Sequence, residues 1–353
     1  MNKTTISGIV QPLLDQHLLV EGDRLYTAEG SGKPAKPLWF SPNARPICSV
    51  LLMPGVIRTC LVTLDGRIQA EQTQPWTPSG NSRDSVLNMI MTTIGQTLKK
   101  AHRTPLGIGI AVGGMVDTDL GRIIKVNLAP ILDGLMLGDA LTRRFDLPVL
   151  IDHHPRALLV GDRWFGHGRG VRTFAVVYTG EVLGAAFYLN GQLHRGLGGA
   201  GGELGHTFVQ VDGELCRCGQ RGCWDTIATL SWLRREARKA SLPNADIIDS
   251  QKLAEQASAG STGAAELLDR YARNLAIGIA NLQQMLASNL YVLHGDVALG
   301  GQMMIDAITG HVRRFVPGRP GSEVSIVVNE ARDRAAMLGA AGLILSDLLQ
   351  FPV

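Results

Sequence analysis

The chain has 353 residues, 45% of them hydrophobic and 18% charged, with a formal net charge of +3 at pH 7. This length exceeds what one hydrophobic core usually serves, so two or three domains are expected. The small net charge excludes a body that binds nucleic acid over a broad surface, and no apolar run reaches the roughly 18 to 20 residues that span a bilayer. Residues 1–20 lack the pattern of a signal peptide, so we expect a cytoplasmic protein with no membrane contact and with reduced or metal-bound cysteines.

The first 45 residues are typical of part of a winged helix-turn-helix, with a helix, a short strand, a basic loop and a second strand. Apolar residues from Ile6 to Leu14 recur at helical spacing, and a Gly/Lys/Pro stretch follows at 30–37. The residues predicted to contact DNA are the N-cap Asn2, the helix residues Lys3, Thr4, Thr5 and Ser7, and the wing residues Lys33 and Lys36. The alternative is a helical arm without a role in DNA binding.

The chain starts at Met1, where a complete winged helix-turn-helix would enter its recognition helix. Such a domain needs earlier helices to support that recognition helix. We therefore expect a shortened product or an internal start. Operator DNA is an expected partner if the N-terminal domain is complete in the natural protein.

From Pro46 onward, the pattern alternates between strands and helices. Strands are predicted at 47–53, 57–63, 106–112, 148–151, 173–179, 183–189, 207–211, 290–294 and 324–328. The turn signals Asp65-Gly66 and Asn190-Gly191 each follow a pair of these strands, which indicates two copies of one α/β unit. The clearest helix covers 268–286, with apolar residues at steps of three and four. Two α/β domains with a cleft between them are expected.

The chain contains five cysteines, and Cys216, Cys218 and Cys223 lie close together in sequence, shortly after His206. Thiolates and an imidazole at these spacings are typical ligands of one tetrahedral zinc ion. Four protein ligands leave no position for an activated water, so a structural zinc is predicted. The alternative, a redox or disulfide cluster, is weaker because a Cys-x-Cys pair is poorly spaced for a disulfide.

Further motifs extend along the chain. They are Gly-Ala-Gly-Gly-Glu-Leu-Gly-His at 199–206 with the cysteine pattern after it, Phe-Gly-x-Gly-x-Gly at 165–170, Gly-Gly-Met-Val-Asp at 113–117, and Asn-Leu at 127–128. Together they resemble the ROK family, which contains repressors, open reading frames of unknown role and sugar kinases. The resemblance implies an α/β, actin-like (ribonuclease H-like) two-domain sugar kinase fold, here with an N-terminal winged-helix remnant.

The resemblance also implies boundaries and an assembly. The winged-helix remnant is expected at 1–45, a small α/β domain at 46–152 plus 333–353, and a larger domain at 153–332 with the zinc site and a dimerisation surface. The helix containing 339–342 is expected to return to the small domain. A homodimer or homotetramer is expected.

In a ROK kinase, glycine-rich turns hold the ATP phosphates and an aspartate serves as the base. In place of the family's first phosphate turn, Asp-x-Gly-Gly-Thr, this chain has Leu-Leu-Met-Pro-Gly at 51–55, and Glu181 lies in the second turn. The third turn, at 294–296, is also altered. A gapless register places His154 at the catalytic aspartate position, and Asp152 would be the base only if the register slipped. The comparison therefore implies no catalytic residue.

The sugar side of the family's site is better preserved. The resemblance places ligand binding at Asn127, His153, His154, Glu203, His206 and Asp225. One ring nitrogen of His206 is expected to bind zinc while the other faces the sugar. Asp225 is one methylene shorter than the family's glutamate, and the histidine pair replaces Asn-Asp, which leaves open whether a common hexose is the ligand. The alternative is a vestigial pocket.

We expect a sugar-responsive transcriptional regulator without kinase activity, with a sugar or sugar-phosphate effector. One alternative is a sugar-binding or scaffold protein that does not bind DNA. A second is a divergent ATP-dependent sugar kinase. The DNA-binding role depends on the N-terminus, and the kinase role depends on the missing base and phosphate turns.

Overall fold

The computed structural model describes residues 3–23, 36–316, 318 and 323–349. The strands are β1 (Leu19–Glu21), β2 (Leu38–Phe40), β3 (Ile47–Met53), β4 (Val56–Val62), β5 (Ile68–Pro75), β6 (Ile108–Val112), β7 (Met115–Asp117), β8 (Arg122–Lys125), β9 (Val149–His153), β10 (Phe174–Thr179), β11 (Leu183–Leu189), β12 (Gln192–Leu193), β13 (Leu290–Gly295) and β14 (Ser325–Val328). The helices are α1 (Lys3–Asp15), α2 (Arg83–Leu98), α3 (Leu137–Phe145), α4 (His154–Phe165), α5 (Leu230–Lys239), α6 (Ser250–Ser258), α7 (Thr262–Leu286), α8 (Gly301–Phe315) and α9 (Asp333–Leu348). Within the described ranges, none of these helices is long and apolar enough to cross a bilayer.

The N-terminal segment folds as one helix followed by a two-stranded hairpin, in the order that the sequence predicts. Strands β1 and β2 are antiparallel, with Val20 opposite Trp39. Lys36 forms an ion pair with Glu21 at the loop end of this hairpin. Of the predicted DNA-contacting residues, Asn2 and Lys33 lie outside the described residues, as do the side chains of Lys3, Thr4, Thr5 and Ser7.

Leu18 attaches this segment to the rest of the molecule. Its side chain is 3% exposed and belongs to the same apolar cluster as residues of α4 and α9. Leu13 of α1 and Phe40 of β2 pack against that cluster. The hairpin and the base of α1 are therefore attached to the apolar cluster that also contains residues of α4 and α9.

Two five-stranded sheets form the body of the protein, with strand orders β5-β4-β3-β6-β9 and β12-β11-β10-β13-β14. In each sheet, the first three strands form antiparallel hairpins, and the last two run parallel to the first. Both sheets therefore have the same topology, as the repeated turn signals indicate. The inner strands β3 and β6 are apolar and buried along almost their whole length, which is typical of strands covered on both faces.

Helices α4 and α9 cross between the two sheets through small residues. A Cβ atom added to Gly339 of α9 would lie 1.7 Å from the carbonyl oxygen of Ala157 in α4. One added to Gly161 of α4 would lie 2.6 Å from the carbonyl oxygen of Ala335 in α9. Small residues at steps of four on both helices let the two backbones come into direct contact. Helix α9 also packs on the first sheet, where Ser49 donates a hydrogen bond to the Met337 carbonyl at 2.5 Å.

The prediction of a strand at 207–211 is wrong. This segment follows a 3-10 turn at Leu204–His206 and contributes only an isolated bridge between Phe208 and Cys223. Its backbone groups pair instead with the cysteine-rich loop, since the Val209 amide donates to the Gly222 carbonyl at 2.8 Å. Because the amides of this segment donate hydrogen bonds within a local loop, they cannot also pair with a neighbouring strand of a sheet.

Candidate ligand pocket and metal centre

The cysteine-rich segment folds into a tight knuckle. The Cys216 amide donates to the Gln220 carbonyl at 2.7 Å, and the Gly219 amide donates back to the Cys216 carbonyl at 2.9 Å. This reversal of the chain requires a residue with a positive φ angle, and Gly219 has a φ of 90°. The turn brings the cysteine side chains to one side of the loop.

The ligand atoms of His206, Cys216, Cys218 and Cys223 all lie within 4.8 Å of one another. The Cys218 and Cys223 sulfurs are 3.6 Å apart, and the Cys216 sulfur is 3.5 Å from Nδ1 of His206. A tetrahedral zinc ion with metal–sulfur bonds of about 2.3 Å requires ligand separations of roughly 3.5 to 3.8 Å. The cysteines are free thiols. The donor set and its spacing therefore fit a tetrahedral metal ion.

Trp224 anchors the knuckle to the larger domain. Its side chain is fully buried, and its indole Nε1 donates to the Asn274 carbonyl on α7 at 2.9 Å. The ring packs on Gly278, where an added Cβ would lie 2.1 Å from it. Trp224, the residue directly after the last cysteine, thus fixes the cysteine-rich knuckle to the long helix α7.

A cavity of about 220 Å³ opens between the two domains beside the metal centre. Its volume is below the roughly 300 Å³ or more of a site for a drug-sized ligand, and suits a smaller molecule. All the predicted ligand-binding residues line it, namely Asn127, His153, His154, Glu203, His206 and Asp225. Their functional role stays a prediction, but the fold brings them together as the resemblance implies.

His153 and His154 lie where β9 ends and α4 begins. The His154 ring is buried and meets Tyr178 edge-on, with ring centres 4.7 Å apart. Burial lowers the pKa of His154 to about 3, with a smaller contribution from His294. Burial, followed by the charge of Arg156, also lowers the pKa of His153. Both rings are therefore neutral near pH 7, each with one donor and one acceptor.

The buried neutral His154 predicts a specific pH dependence. In the unfolded chain this ring binds a proton below about pH 6.5, whereas the folded protein resists protonation, so stability falls as the pH decreases through that value. Between about pH 7.5 and about pH 5.5, the free energy of unfolding of the natural protein should fall by about 1.4 kcal/mol more than that of His154→Asn. Urea unfolding at both pH values measures the difference. His102→Asn, a change at an exposed histidine, is measured in parallel as the control for replacing a histidine with asparagine.

Asp152 is fully buried and is not among the residues that line the cavity. One carboxylate oxygen accepts from Arg156 Nε at 2.5 Å, and the other accepts from Arg195 Nε at 2.9 Å. Arg156 also donates to the carbonyls of Gly199 and Gly201, both at 3.0 Å. The carboxylate therefore acts as a structural anchor for the glycine-rich loop that leads to Glu203. The sequence signal for it was the i, i+4 spacing of Asp152 and Arg156, which the motif comparison overlooked.

Glu203 and Asp225 differ in the acceptors they offer. The Asp225 oxygens are engaged by the Leu183 amide at 2.9 Å and by Arg217 at 3.2 Å. Burial raises the pKa of Glu203, and within the described residues no hydrogen bond to its carboxylate is found. Arg217 and Lys125 also line the cavity and were missed by sequence reasoning. The position of Arg217 between two predicted metal ligands, Cys216 and Cys218, was the available signal.

The segments aligned with the family's phosphate turns make other contacts. Leu51 is fully buried in the first sheet, and Pro54 begins the β3–β4 turn. Glu181 pairs with Arg234 at 2.6 Å, and Asp296 accepts from the Ser250 amide at 3.0 Å. A second cavity of about 350 Å³ lies here. Its described charged lining residues are Glu181, Arg234, Asp249, Asp296, Arg332 and Asp333. Acidic groups outnumber basic ones around it.

Two α/β domains of equal topology around a cleft define a protein of the sugar kinase-like class. The chain belongs to the ROK family, whose model matches residues 55–347. It is 27% identical to the xylose repressor of Caldicellulosiruptor bescii over 100% of this chain and 90% of that protein. The predicted family is confirmed.

Solved structures show the same fold. A ROK family transcriptional regulator, a homologue of the Escherichia coli Mlc protein, has a TM-score of 0.82 at 22% identity and covers 99% of this chain and 92% of its own. The ROK family glucokinase from Streptomyces griseus, solved with glucose and AMPPNP, has a TM-score of 0.74 at 24% identity and covers 84% of this chain and 98% of its own. The predicted actin-like two-domain fold is confirmed. Since one of these proteins is a regulator and the other a kinase, function must be argued from the site.

Proposed function

We propose that this protein is a sugar-responsive transcriptional regulator of the ROK family without kinase activity. One observation carries the proposal. The cavity wall at the end of β9 presents the neutral rings of His153 and His154, while the neighbouring carboxylate of Asp152 does not line the cavity and is held by two arginines. The cavity therefore offers hydrogen bonds to a small polyhydroxylated ligand, and the end of β9, where the family has its catalytic aspartate, presents a neutral ring in place of a carboxylate base.

The remaining walls suit a sugar. Asn127 and the two histidines each combine a donor with an acceptor, and Glu203 adds an acceptor without an internal partner among the described residues. Nδ1 of His206 faces the cysteines while the residue itself lines the cavity. A zinc ion held by the four ligands would fix that ring and leave Nε2 for a hydroxyl. With four protein ligands, such a zinc is structural.

The ATP side supports the absence of kinase activity. Pro54 has no amide hydrogen to donate to a phosphate, and buried Leu51 cannot position a hydrated Mg²⁺ ion. The acidic lining of the second cavity, which includes Glu181 and Asp296, repels a triphosphate. Phosphoryl transfer depends on such positioning and charge stabilisation more than on any single base.

The N-terminal segment supports a DNA-binding role. A helix followed by a two-stranded hairpin is the second half of a winged helix-turn-helix. Leu18 ties this segment to the apolar cluster that contains α4 and α9. A ligand that binds one arrangement of the domains more tightly than another would shift the orientation of α1. In the proposed homodimer, two copies of α1 would reach two half-sites of an operator.

One experiment tests both parts of this function. The protein, expressed with any residues that precede Met1 in its natural coding region, is mixed with fragmented genomic DNA from its source, and the bound fragments are sequenced. We expect a small set that shares a two-fold symmetric sequence. The same preparation, incubated with ATP, Mg²⁺ and a panel of hexoses and pentoses, should form no sugar phosphate above the level without protein. The glucokinase from Streptomyces griseus serves as the positive control.

The DNA selection and the phosphorylation assay test the regulatory role and the absence of kinase activity separately. Recovery of fragments no more specific than those bound by an unrelated basic protein would overturn the regulatory role. Sugar phosphate formed at about one turnover per second or faster would overturn the absence of kinase activity, since that is an ordinary enzyme rate.

A further inference from the structure

Three adjacent loops meet at one edge of the first sheet, away from the ligand cavity. Strands β3, β6 and β9 are parallel, so all three begin at this edge. Backbone hydrogen bonds join the loops that lead into them, since the Leu106 amide donates to the Pro46 carbonyl and the Ile108 amide donates to the Pro148 carbonyl, both at 2.8 Å. The cavity lies at the other end of these strands, where β9 reaches His153.

Positive charge is concentrated in these loops. Segments 41–46, 99–107 and 143–148 contain six lysines and arginines and one acidic residue, Asp146, whereas the rest of the chain has more acidic than basic residues. All six side chains are exposed, and none of them forms an ion pair within the described part of the chain. In the neighbouring β4–β5 turn, Asp65 and Arg67 neutralise each other at 2.9 Å. We call the six residues the basic edge: Arg45, Lys99, Lys100, Arg103, Arg143 and Arg144.

Helix ends account for only part of this charge. Lys99 caps the C-terminus of α2, and Arg143 and Arg144 lie in the last turn of α3, where the helix dipole favours a cation. The two helix ends are close together, because a Cβ added to Gly95 of α2 would lie 3.9 Å from the Phe145 ring. The other three cations of the basic edge lie outside both helices. The dipoles therefore do not explain why the cations are so numerous here.

The basic edge is continuous with the N-terminal hairpin. Arg103 Nη1 donates to the Asn43 carbonyl at 3.0 Å, and Arg45 donates to the Thr104 and Pro105 carbonyls at 2.7 and 2.8 Å. Carbonyl acceptors are neutral, so both guanidinium groups keep their full charge. Asn43 follows the end of β2 by three residues, which span at most about 11 Å. The cations therefore begin directly beside the hairpin.

From this placement we infer that the basic edge binds the phosphates of DNA that flanks the site of the winged-helix segment. The inference rests on the proposed DNA-binding function and adds a second contact surface outside that segment. A DNA duplex carries one negative charge per about 1.7 Å of its axis and stays nearly straight over about 150 base pairs. DNA held at the hairpin therefore continues alongside the body of the protein. Contacts to its phosphates add affinity without choosing a sequence.

Fluorescence anisotropy with labelled DNA tests the inference. The probe is a duplex of mixed sequence about 40 base pairs long, which covers two half-sites one helical turn apart with flanking DNA on both sides. The protein is prepared as for the genomic selection. Its affinity is measured between about 50 and 200 mM KCl, because each phosphate contact contributes about 0.9 to the slope of log affinity against log salt concentration.

Two double variants remove charge from the basic edge. Arg143→Gln with Arg144→Gln should weaken binding at least about tenfold near 0.1 M KCl and should lower the salt slope by about 1 to 2. Lys99→Gln with Lys100→Gln should do the same. The melting temperature of each variant is also measured, because cations that serve only the helix dipoles would change stability and leave the salt slope unaltered.

Arg313→Gln with Arg314→Gln is the matched control. These two arginines are also exposed and also lie in the last turn of a helix, α8, which packs in the other domain. Their replacement changes the net charge by the same amount as the Arg143 and Arg144 pair. The control should keep the affinity and the salt slope of the natural protein.

Each contrary outcome overturns the inference. Unchanged DNA affinity and salt slope in both basic-edge variants would do so, as would an equal loss in the control, since overall charge would then explain the binding. Absence of binding to the duplex at about 50 mM KCl would do so as well. Weaker binding of the variants to vesicles of phosphatidylcholine and phosphatidylserine, with unchanged DNA binding, would assign the edge to a membrane instead. The genomic DNA selection decides separately whether the protein recognises an operator.

Discussion

Replacing Cys218 with serine should reduce bound zinc from about one ion per chain to a small fraction of that, and should lower the melting temperature by roughly 10 °C. Serine keeps the size of the side chain but provides a hydroxyl in place of a thiolate, which is a far weaker zinc ligand. The Cys218 sulfur lies 3.6 Å from that of Cys223, so its loss leaves an incomplete ligand set. Metal analysis and thermal unfolding of the purified variant measure the two effects.

The effect should extend beyond the knuckle. Phe208 pairs with Cys223 of the same loop, and His206, a predicted zinc ligand, also lines the cavity. Gln220→Ser is the matched control, because Gln220 lies in the knuckle and is exposed. It should keep its zinc and its melting temperature. Natural protein that contains no zinc yet melts at the same temperature as zinc-loaded protein would contradict a structural metal.

Replacing Gly339 with alanine should destabilise the protein by about 2 to 3 kcal/mol, the cost of overpacking a close contact. The added methyl would lie 1.7 Å from the Ala157 carbonyl oxygen and 3.1 Å from the Gly161 amide nitrogen. Both are backbone atoms of α4, so no side chain can rotate away to make room. The two helices must separate, and the domains that they join must shift with them. Denaturant unfolding measures the loss.

Gly310 offers the matched control. It lies within α8, and an added Cβ would have no atom within 4 Å. Gly310→Ala should leave stability unchanged or raise it by about 0.5 to 1 kcal/mol, because alanine favours the helix. Equal free energies of unfolding for Gly339→Ala and Gly310→Ala would contradict the close contact of α4 with α9 at Gly339.

Local sequence patterns correctly predicted those elements that are held together by contacts between residues close in sequence. Strand β11 was predicted at 183–189 and is found at Leu183–Leu189, because an apolar run ending at the Asn190-Gly191 turn has few alternatives. The clustering of His206 with the three cysteines was predicted from spacing alone, since a short knuckle brings its own cysteines together. The predicted strand at 207–211 failed because its partner is the knuckle rather than a sheet.

Contacts between distant parts of the chain were harder to predict. The cavity residues were found only through motif resemblance, which carries long-range information that periodicity lacks. Nothing in the local sequence indicates that Asp152 binds Arg195, or that Arg217 reaches Asp225. The orientation of a long charged side chain depends on which loop the fold brings beside it. Such pairs decide whether a carboxylate is available to a ligand, so the sequence predicted the cavity more reliably than its chemistry.

The glycine contacts between α4 and α9 determine how motion can pass between the domains. Where side chains separate two helices, a small displacement is absorbed as their rotamers change. Here backbone meets backbone at Gly161 and Gly339, and no rotamers are available to absorb it. The helices can turn about their point of contact but cannot approach more closely. Any rotation of the domains that keeps this contact must therefore pivot at Gly161 and Gly339.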